Sequence, residues 1–353
     1  MNLDQRIEAF VQLGLLFSSL GEKPLSAGDD SDTNTVYLEA FQLQIDRAQE
    51  VNGWFTKENV LQAFDSWAAV LTRKNLLQWT AAYTFDQKSP AKTVAIIMAG
   101  NIPLVGFHDL LSVLISGHRA LVKLSSNDPY FLPLVARFLT HTNPAFKERI
   151  RFSKEKLDGF EAVIATGTNN TARYFEYYFD KYPSIIRKNR HSMAILDGTE
   201  SLEELELLGT DIFQYFGLGC RSVSKLFVPR GYDFDMLFKA LYKFREVINY
   251  KKYQNNYDYN KAVYLMSLYK LQENGFLMLK EDTSHASPIA TLFYEFYDDI
   301  EVLTQQLAAD TEQIQCLVAK TDRAGFVAFG QTQQPQLWNY ADKVDTIQFL
   351  TKL

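Results

Sequence analysis

The sequence predicts an α/β fold built on parallel sheets. Short apolar runs with β-branched members alternate along the chain with longer segments of helical spacing, the pattern of strand–helix–strand units. The 353 residues are 47% hydrophobic and 22% charged, a composition that can fill real cores. At about 150 residues per domain this length suggests two or three domains.

The elements follow in order. Residues 1–80 read mostly as helix, opening with Leu3, Ile7, Phe10 and Val11 at helical spacing. Gly14 falls on the same stripe and weakens the helix beyond it. A turn-rich break follows at Gly28-Asp29-Asp30-Ser31-Asp32. Val94 to Met98 reads as a buried strand bounded by Gly100, Leu104 to Ser116 as a helix stopped by Gly117, and Ala120 to Leu124 as a second strand. Pro129 to Thr140 reads as a helix with Asp128 as N-cap and Pro129 in the first position. Ala162 to Ala165 is a third strand, ending in Thr166-Gly167-Thr168-Asn169-Asn170 before another helix. Met193 to Leu196, a helix from Ser201 to Tyr215, a strand from Val223 to Val228 and a helix from Asp233 continue the alternation. The aromatic stretch from Tyr242 to Tyr269 reads as core and helix packing.

Charge and composition exclude several function classes. Lys plus Arg is 36 and Asp plus Glu is 42, so the net charge is −6, and bulk attraction to nucleic acid or anionic lipid is not expected. The stretch from Thr93 to Phe107 is apolar, but Gly100, Asn101 and Pro103 break it, so no membrane span is expected. The acidic start lacks the basic region of a signal peptide. Two cysteines, Cys220 and Cys316, make neither a disulfide framework nor a structural zinc site, so a cytoplasmic protein with free thiols is expected. The histidines, at 108, 118, 141, 191 and 285, show no ligand spacing, and no metal is expected. Hydrolase, zinc-protease and P-loop motifs are missing.

The candidate chemistry centres on Cys220, in Gly217-Leu218-Gly219-Cys220-Arg221. Two glycines let backbone or substrate approach closely, and a strand follows, so the thiol sits where a rigid scaffold mounts a functional group. A thiolate is a strong nucleophile towards acyl groups, and a neighbouring arginine favours it. The competing reading is that of a small buried hydrophobe. Cys316, in Gln315-Cys316-Leu317-Val318, reads as a buried strand thiol.

Several ordered segments carry a resemblance to a known family. Gly217-x-x-Cys220-x-x-x-x-Lys225-x-Phe227-Val228 resembles the catalytic cysteine motif of the aldehyde dehydrogenase superfamily. Ala99-Gly100-Asn101-Ile102-Pro103-Leu104 resembles its strand-end Asn-x-Pro segment, and Gly117 to Ser125 its Gly-Asn-x-x-x-x-Lys-Pro-Ser strand. Thr166-Gly167-Thr168 resembles, imperfectly, its Gly-x-Thr-x-x-Gly cofactor turn, and Ser287-Pro288-Ile289-Ala290 its Gly-Pro strand. The acid-forming enzymes carry a water-activating glutamate where this chain has Arg187. With that departure the whole chain resembles the LuxC-type acyl-CoA reductases.

The resemblance implies a Rossmann-like cofactor domain with the N-terminal helices over 1–190 and an α/β catalytic domain over 191–335. It implies a C-terminal segment over 336–353 whose strand, around Thr346 to Leu350, joins a small β element pairing two subunits into a homodimer. The implied reaction is NAD(P)H-dependent reduction of an acyl-CoA, fatty acyl in class, to the aldehyde through an acyl-Cys220. Asn101 and the Cys220 backbone N–H would stabilise the oxyanion. Lys123, Ser125 and Ser126 would hold the adenosine side of the cofactor and Thr166, Gly167 and Thr168 its pyrophosphate. Ser126 stands where NAD-preferring members carry a glutamate, which favours NADPH, with NADH as the alternative. Ser284 stands where a second ribose-binding carboxylate is usual. Arg187, Lys188 and Arg190 are candidates for the CoA phosphates or for a solvated basic face. Two other readings stay open: an NAD(P)-dependent aldehyde oxidiser, and a non-catalytic acyl-CoA-binding member of the fold.

Overall fold

The computed structural model describes residues 1–21, 33–85, 90–310, 312–320 and 325–353. The break expected at Gly28 to Asp32 lies outside them. The chain divides into two compact units, one of Met1–Lys188 with Gln336–Leu353, the other of Asn189–Pro335. Among the described residues no helix is long and apolar enough to cross a membrane.

The first unit opens with four helices: α1 (Leu3–Ser18), α2 (Thr33–Val51), α3 (Lys57–Val70) and α4 (Arg73–Thr80). Asn2 and Gln5 form a capping box that starts α1, and Ile7, Phe10, Leu13 and Phe17 bury one face of it. The helix runs straight through Gly14, against the expectation of weakening there. A Cβ at Gly14 would lie 2.7 Å from the Leu71 carbonyl, so the missing side chain lets α1 pack onto the end of α3.

The sheet of this unit contains β1 (Thr93–Ile97), β2 (Arg119–Lys123), β3 (Ile150–Phe152), β4 (Ala162–Thr166) and β5 (Ser184–Arg187). Its order is β3-β2-β1-β4-β5 and every pair is parallel. Val94, Ala95 and Ile96 are buried on both faces, which is why β1 reads as an unbroken apolar run. The connecting helices are α5 (Phe107–Ile115), α6 (Phe131–Thr142) and α7 (Asn169–Phe179). Helix α6 begins two residues later than the spacing suggested, with Tyr130 at its N-cap. The Asp128 carboxylate accepts the Leu104 N–H, while the N–H of Phe131, the first residue of α6, also favours its charged form.

The C-terminal segment corrects the expectation of an oligomerisation strand. Thr346–Thr351 is a helix, α12, which packs within the first unit against α5. Asp345 caps it by accepting the Gln348 N–H at 2.8 Å. Ile347 and Leu350, three residues apart, are both fully buried, a helical period rather than the alternation of a strand.

The second unit holds a six-stranded sheet in the order β11-β6-β7-β10-β9-β8. The strands are β6 (His191–Ile195), β7 (Val223–Pro229), β8 (Leu271–Glu273), β9 (Met278–Glu281), β10 (Thr291–Tyr297) and β11 (Ile314–Val318). Among the described residues only the β8–β9 pair is antiparallel. Helices α8 (Leu202–Phe213), α9 (Asp235–Leu241), α10 (Lys251–Met266) and α11 (Ile300–Ala309) connect them. The aromatic stretch divides: Tyr253 and Tyr257 are buried, while Tyr242, Tyr259 and Tyr269 are exposed. Cys316 is buried on β11, as its apolar run implied.

Candidate active site

The first unit gathers seven of the predicted residues at one edge of its sheet. Ile97 pairs with Lys123 on one side and with Ala165 on the other, so the loops after β1, β2 and β4 leave the sheet side by side at its carboxyl edge. The chain crosses from β1 to β2 in one direction and returns to β4 on the opposite side. That makes the β1/β4 boundary the topological switch point, where open parallel sheets bind ligands.

Asn101 is exposed on the loop after β1. Lys123 ends β2 half-buried, and its carbonyl accepts the Met98 N–H at 3.1 Å. The Ser125 hydroxyl accepts the Asn127 N–H at 3.2 Å, and Ser126 is exposed beside it. A Cβ at Gly100 would lie 2.5 Å from Ser125 Oγ, so the two loops interlock only because Gly100 has none. Across the switch point, Thr168 is the N-cap of α7 and its hydroxyl accepts the Thr171 N–H at 3.3 Å. Gly167 is packed so that a Cβ would meet Thr171 and Phe175 at 3.0 Å.

One residue of this edge does more than the helix start its position suggests. Buried Asp128 accepts the Leu104 N–H at 3.0 Å, and Leu104 itself is buried at φ 58°. A left-handed leucine costs about 1–2 kcal/mol, so the carboxylate fixes a strained turn three residues beyond Asn101. Burial pushes the Asp128 carboxyl up to about 6. The Asp-Pro dipeptide gave no sign of this, since it also suits a helix start.

Cys220 belongs to the second unit, on the turn that leads into β7, and its side chain is exposed. The turn is held from several directions. The buried Ser192 hydroxyl donates to the Cys220 carbonyl at 2.9 Å. The Ser222 N–H donates to the Gly219 carbonyl at 3.0 Å, and the Gln333 amide to the Ser222 hydroxyl at 3.1 Å. Upstream, Tyr215, Phe216 and Gly217 are all left-handed, at φ 53°, 57° and 76°. Stacking of Phe216 on Tyr250, with centroids 4.7 Å apart, helps to hold that run.

Of the two basic neighbours of the cysteine, Lys225 serves the scaffold. Lys225 is 1% exposed, with Nζ 2.7 Å from Glu295 and 2.8 Å from the Thr283 carbonyl. The Arg221 guanidinium lies 3.5 Å from Cys316 Sγ, the other thiol. Ser284 donates its N–H to Asp282 at 2.8 Å. Arg187, offered as a CoA-phosphate ligand, is instead buried at the end of β5. It donates to Asp109 at 2.7 Å, to the Thr346 hydroxyl at 3.0 Å and to the Ala341 carbonyl at 2.8 Å. Lys188 pairs with Glu176 at 2.6 Å. No group of three His, Cys, Asp or Glu side chains among the described residues could hold a metal ion.

A family model described as acyl-CoA reductase (LuxC) matches residues 37–236, more than half the chain and inclusive of Asn101, Lys123, Thr168 and Cys220. The chain belongs to the LuxC family. The LuxC chain is thereby an oxidoreductase of the acyl-thioester and aldehyde class. No curated protein matches it. Its fold is that of the aldehyde dehydrogenases. Aldehyde dehydrogenase 21 from Physcomitrella patens, in complex with succinate, superposes with a TM-score of 0.65 at 11% identity over 100% of this chain and 84% of that one. An aldehyde dehydrogenase from Bacillus cereus in complex with NAD+ gives 0.59 at 14% identity, covering 92% and 73%. An indole-3-acetaldehyde dehydrogenase complexed with NAD+ gives 0.62 at 13%, with the same coverage.

Proposed function

We propose that this LuxC chain reduces an acyl-CoA thioester, of the fatty acyl class, to the aldehyde through a covalent acyl-Cys220, with NADPH as reductant. The observation that carries the reading is an exposed thiol on a turn fixed by Ser192 and Gln333, in a chain matched to acyl-CoA reductases. The Cys220 thiolate attacks the thioester carbonyl, and the C–S bond to CoA breaks as CoA leaves with the electron pair. Asn101 and the Cys220 backbone N–H stabilise the oxyanion; losing one such donor typically costs about 10²–10³ in rate. When bound, the nicotinamide supplies a hydride to the acyl carbon. The thiohemiacetal then expels the Cys220 thiolate and releases the aldehyde.

The carboxyl-edge residues suit a dinucleotide in their chemistry. The first-turn amides of α7 are donors for a pyrophosphate, as at other helix N-termini. Lys123 offers a cation to the adenosine ribose, and Ser126 offers a hydroxyl where a glutamate would repel a 2′-phosphate. Structural relatives that hold NAD+ support a nicotinamide cofactor, and Ser126 supports the phosphorylated form. A guanidinium locked in a buried ion pair at Arg187 cannot activate water. With no glutamate at that position, hydrolysis of the acyl-enzyme should be slow, which suits transfer of hydride to it.

The decisive experiment follows NADPH oxidation across acyl-CoA chain lengths in wild type and Cys220→Ala, with mass-spectrometric trapping of the acylated peptide. The variant should bind NADPH and form neither acyl-enzyme nor aldehyde. Undiminished turnover would sink the mechanism. Acid formation from aldehyde, without acyl-CoA reduction, would favour the aldehyde-oxidiser reading.

A further inference from the structure

The sheet of the first unit has a second polar edge. Pro90 and Ala91 precede β1, Gly117 and His118 precede β2, and Arg149 precedes β3. Together with Arg6 of α1 and the chain's last residues they line a cavity of about 400 Å³. The strands are parallel and five residues long at β1 and β2, so this amino edge lies roughly 17 Å from the cofactor-candidate loops at the carboxyl edge.

The cavity is built around two arginines that share one glycine. The Arg149 guanidinium donates to the Gly117 carbonyl. The Arg6 guanidinium packs on Gly117 so closely that a Cβ there would lie 3.0 Å from its Nη1. Arg6 is 5% exposed and donates through Nη1 to the Met1 carbonyl at 3.1 Å, but its buried Nε has no hydrogen-bond partner. Among the described residues no carboxylate pairs with either guanidinium. Burial and mutual repulsion hold Arg6 down to about 10, and burial with the Arg119 charge lowers Arg149. His118 adds no charge to spare: Nδ1 accepts the Lys92 N–H at 3.1 Å and Nε2 bonds the Leu350 carbonyl at 2.9 Å. Glu161, the acid whose field reaches His118, accepts the Thr93 N–H at 2.6 Å and lies 4.0 Å from Lys92 Nζ.

Two neighbouring guanidiniums with no carboxylate paired to them among the described residues, one carrying a buried unpartnered N–H, form an anion receptor. We propose that this cavity binds a small phosphorylated compound, its phosphate seated between Arg6 and Arg149 and its remainder in the space beside them. Two positive charges match a phosphate dianion, and guanidinium forks match its oxygens in a way a single carboxylate does not use. A volume near 400 Å³ is that of a metabolite site rather than of a bare ion. The site makes no use of Cys220 or of the nucleotide edge and stands whether or not the proposed reaction is right.

The probe is inorganic phosphate, titrated against the melting temperature of the full chain at constant ionic strength. Saturation should raise the transition by roughly 2–4 °C. Arg149→Gln should abolish the shift, and Lys123→Ala, at the other edge, should keep it. Arg149→Lys retains the charge without the fork and should bind at least fivefold more weakly, which covers the case where the glutamine variant fails to fold. The proposal is overturned by no shift, by an equal shift with acetate or chloride, by a shift that survives in Arg149→Gln, or by an unchanged phosphate affinity in Arg149→Lys.

Discussion

Gly100 and Ser126 stand on neighbouring loops at the carboxyl ends of β1 and β2, and single atoms decide what each can do. A methyl group at Gly100 would meet Ser125 Oγ at 2.5 Å and Ser125 Cβ at 2.7 Å, with Asn127 Cβ at 3.1 Å behind them, so the loops must part to admit it. Gly100→Ala should therefore raise the KM for NADPH about tenfold while the folded protein persists, since a displaced loop of this kind costs roughly 1–2 kcal/mol. An unchanged KM in steady-state titration would show that the interlock does not shape the proposed cofactor site. Ser126 is exposed, so its effect is electrostatic and partly screened. Ser126→Glu should cut kcat/KM for NADPH by about tenfold and leave NADH nearly untouched, the ratio expected from roughly 1.4 kcal/mol of repulsion. The same loss with both cofactors would remove Ser126 from the specificity argument.

At the scale of elements, the C-terminal helix shows where sequence reading succeeds and fails. The family resemblance implies a strand around Thr346 to Leu350, and β-branched Val344, Thr346 and Ile347 do not oppose one. The opposing signal was present: Asp345 followed at three residues by Gln348 is a helix-start pattern, and Ile347 with Leu350 gives a helical repeat. In six residues local propensity is weak, so the cap and the packing against α5 decide. The strands of β1, β2, β4, β6 and β7 were legible because parallel strands buried on both faces are continuous apolar runs. The turn before β7 and the loops after β1 and β4 were legible as chain reversals because glycines and short polar residues mark them. Asp128 and Arg187 were not, because each acts through a partner distant in sequence, Leu104 and Asp109 respectively. Arg187 ties β5, α5 and the C-terminal segment together with both charges buried. Arg187→Met would leave Asp109 as an unpaired buried charge, and should destabilise the first unit by about 3–5 kcal/mol in urea unfolding. A loss below about 1 kcal/mol would mean that Asp109 finds water or another donor.

For the whole molecule, buried titratable groups set the pH dependence of stability, and they pull in opposite directions. Burial lowers His118, His191 and His285, so each favours its neutral form in the fold. Their contribution is complete above the unfolded value near 6.5 and declines as pH falls from there towards the folded values. Burial raises Asp128, Glu200 and Asp211, so each favours its protonated form in the fold. For Asp128 that contribution is complete below the unfolded value of 3.8 and is lost as pH rises through about 6. Between these limits the folded state holds a proton that the unfolded chain has released, so acidification favours folding at this residue while it disfavours folding at the histidines. Wild type should consequently change little in stability from pH 6.5 to 4. Asp128→Asn keeps an acceptor for the Leu104 N–H and removes the opposing proton. It should be more stable than wild type at pH 7, by about 1–3 kcal/mol, because no buried carboxylate has to ionise. That advantage should vanish by pH 4, leaving a steeper acid limb set by the histidines. Urea midpoints across pH 4–7 for both proteins measure this directly, and parallel curves would show that Asp128 is solvated enough to titrate at its ordinary value.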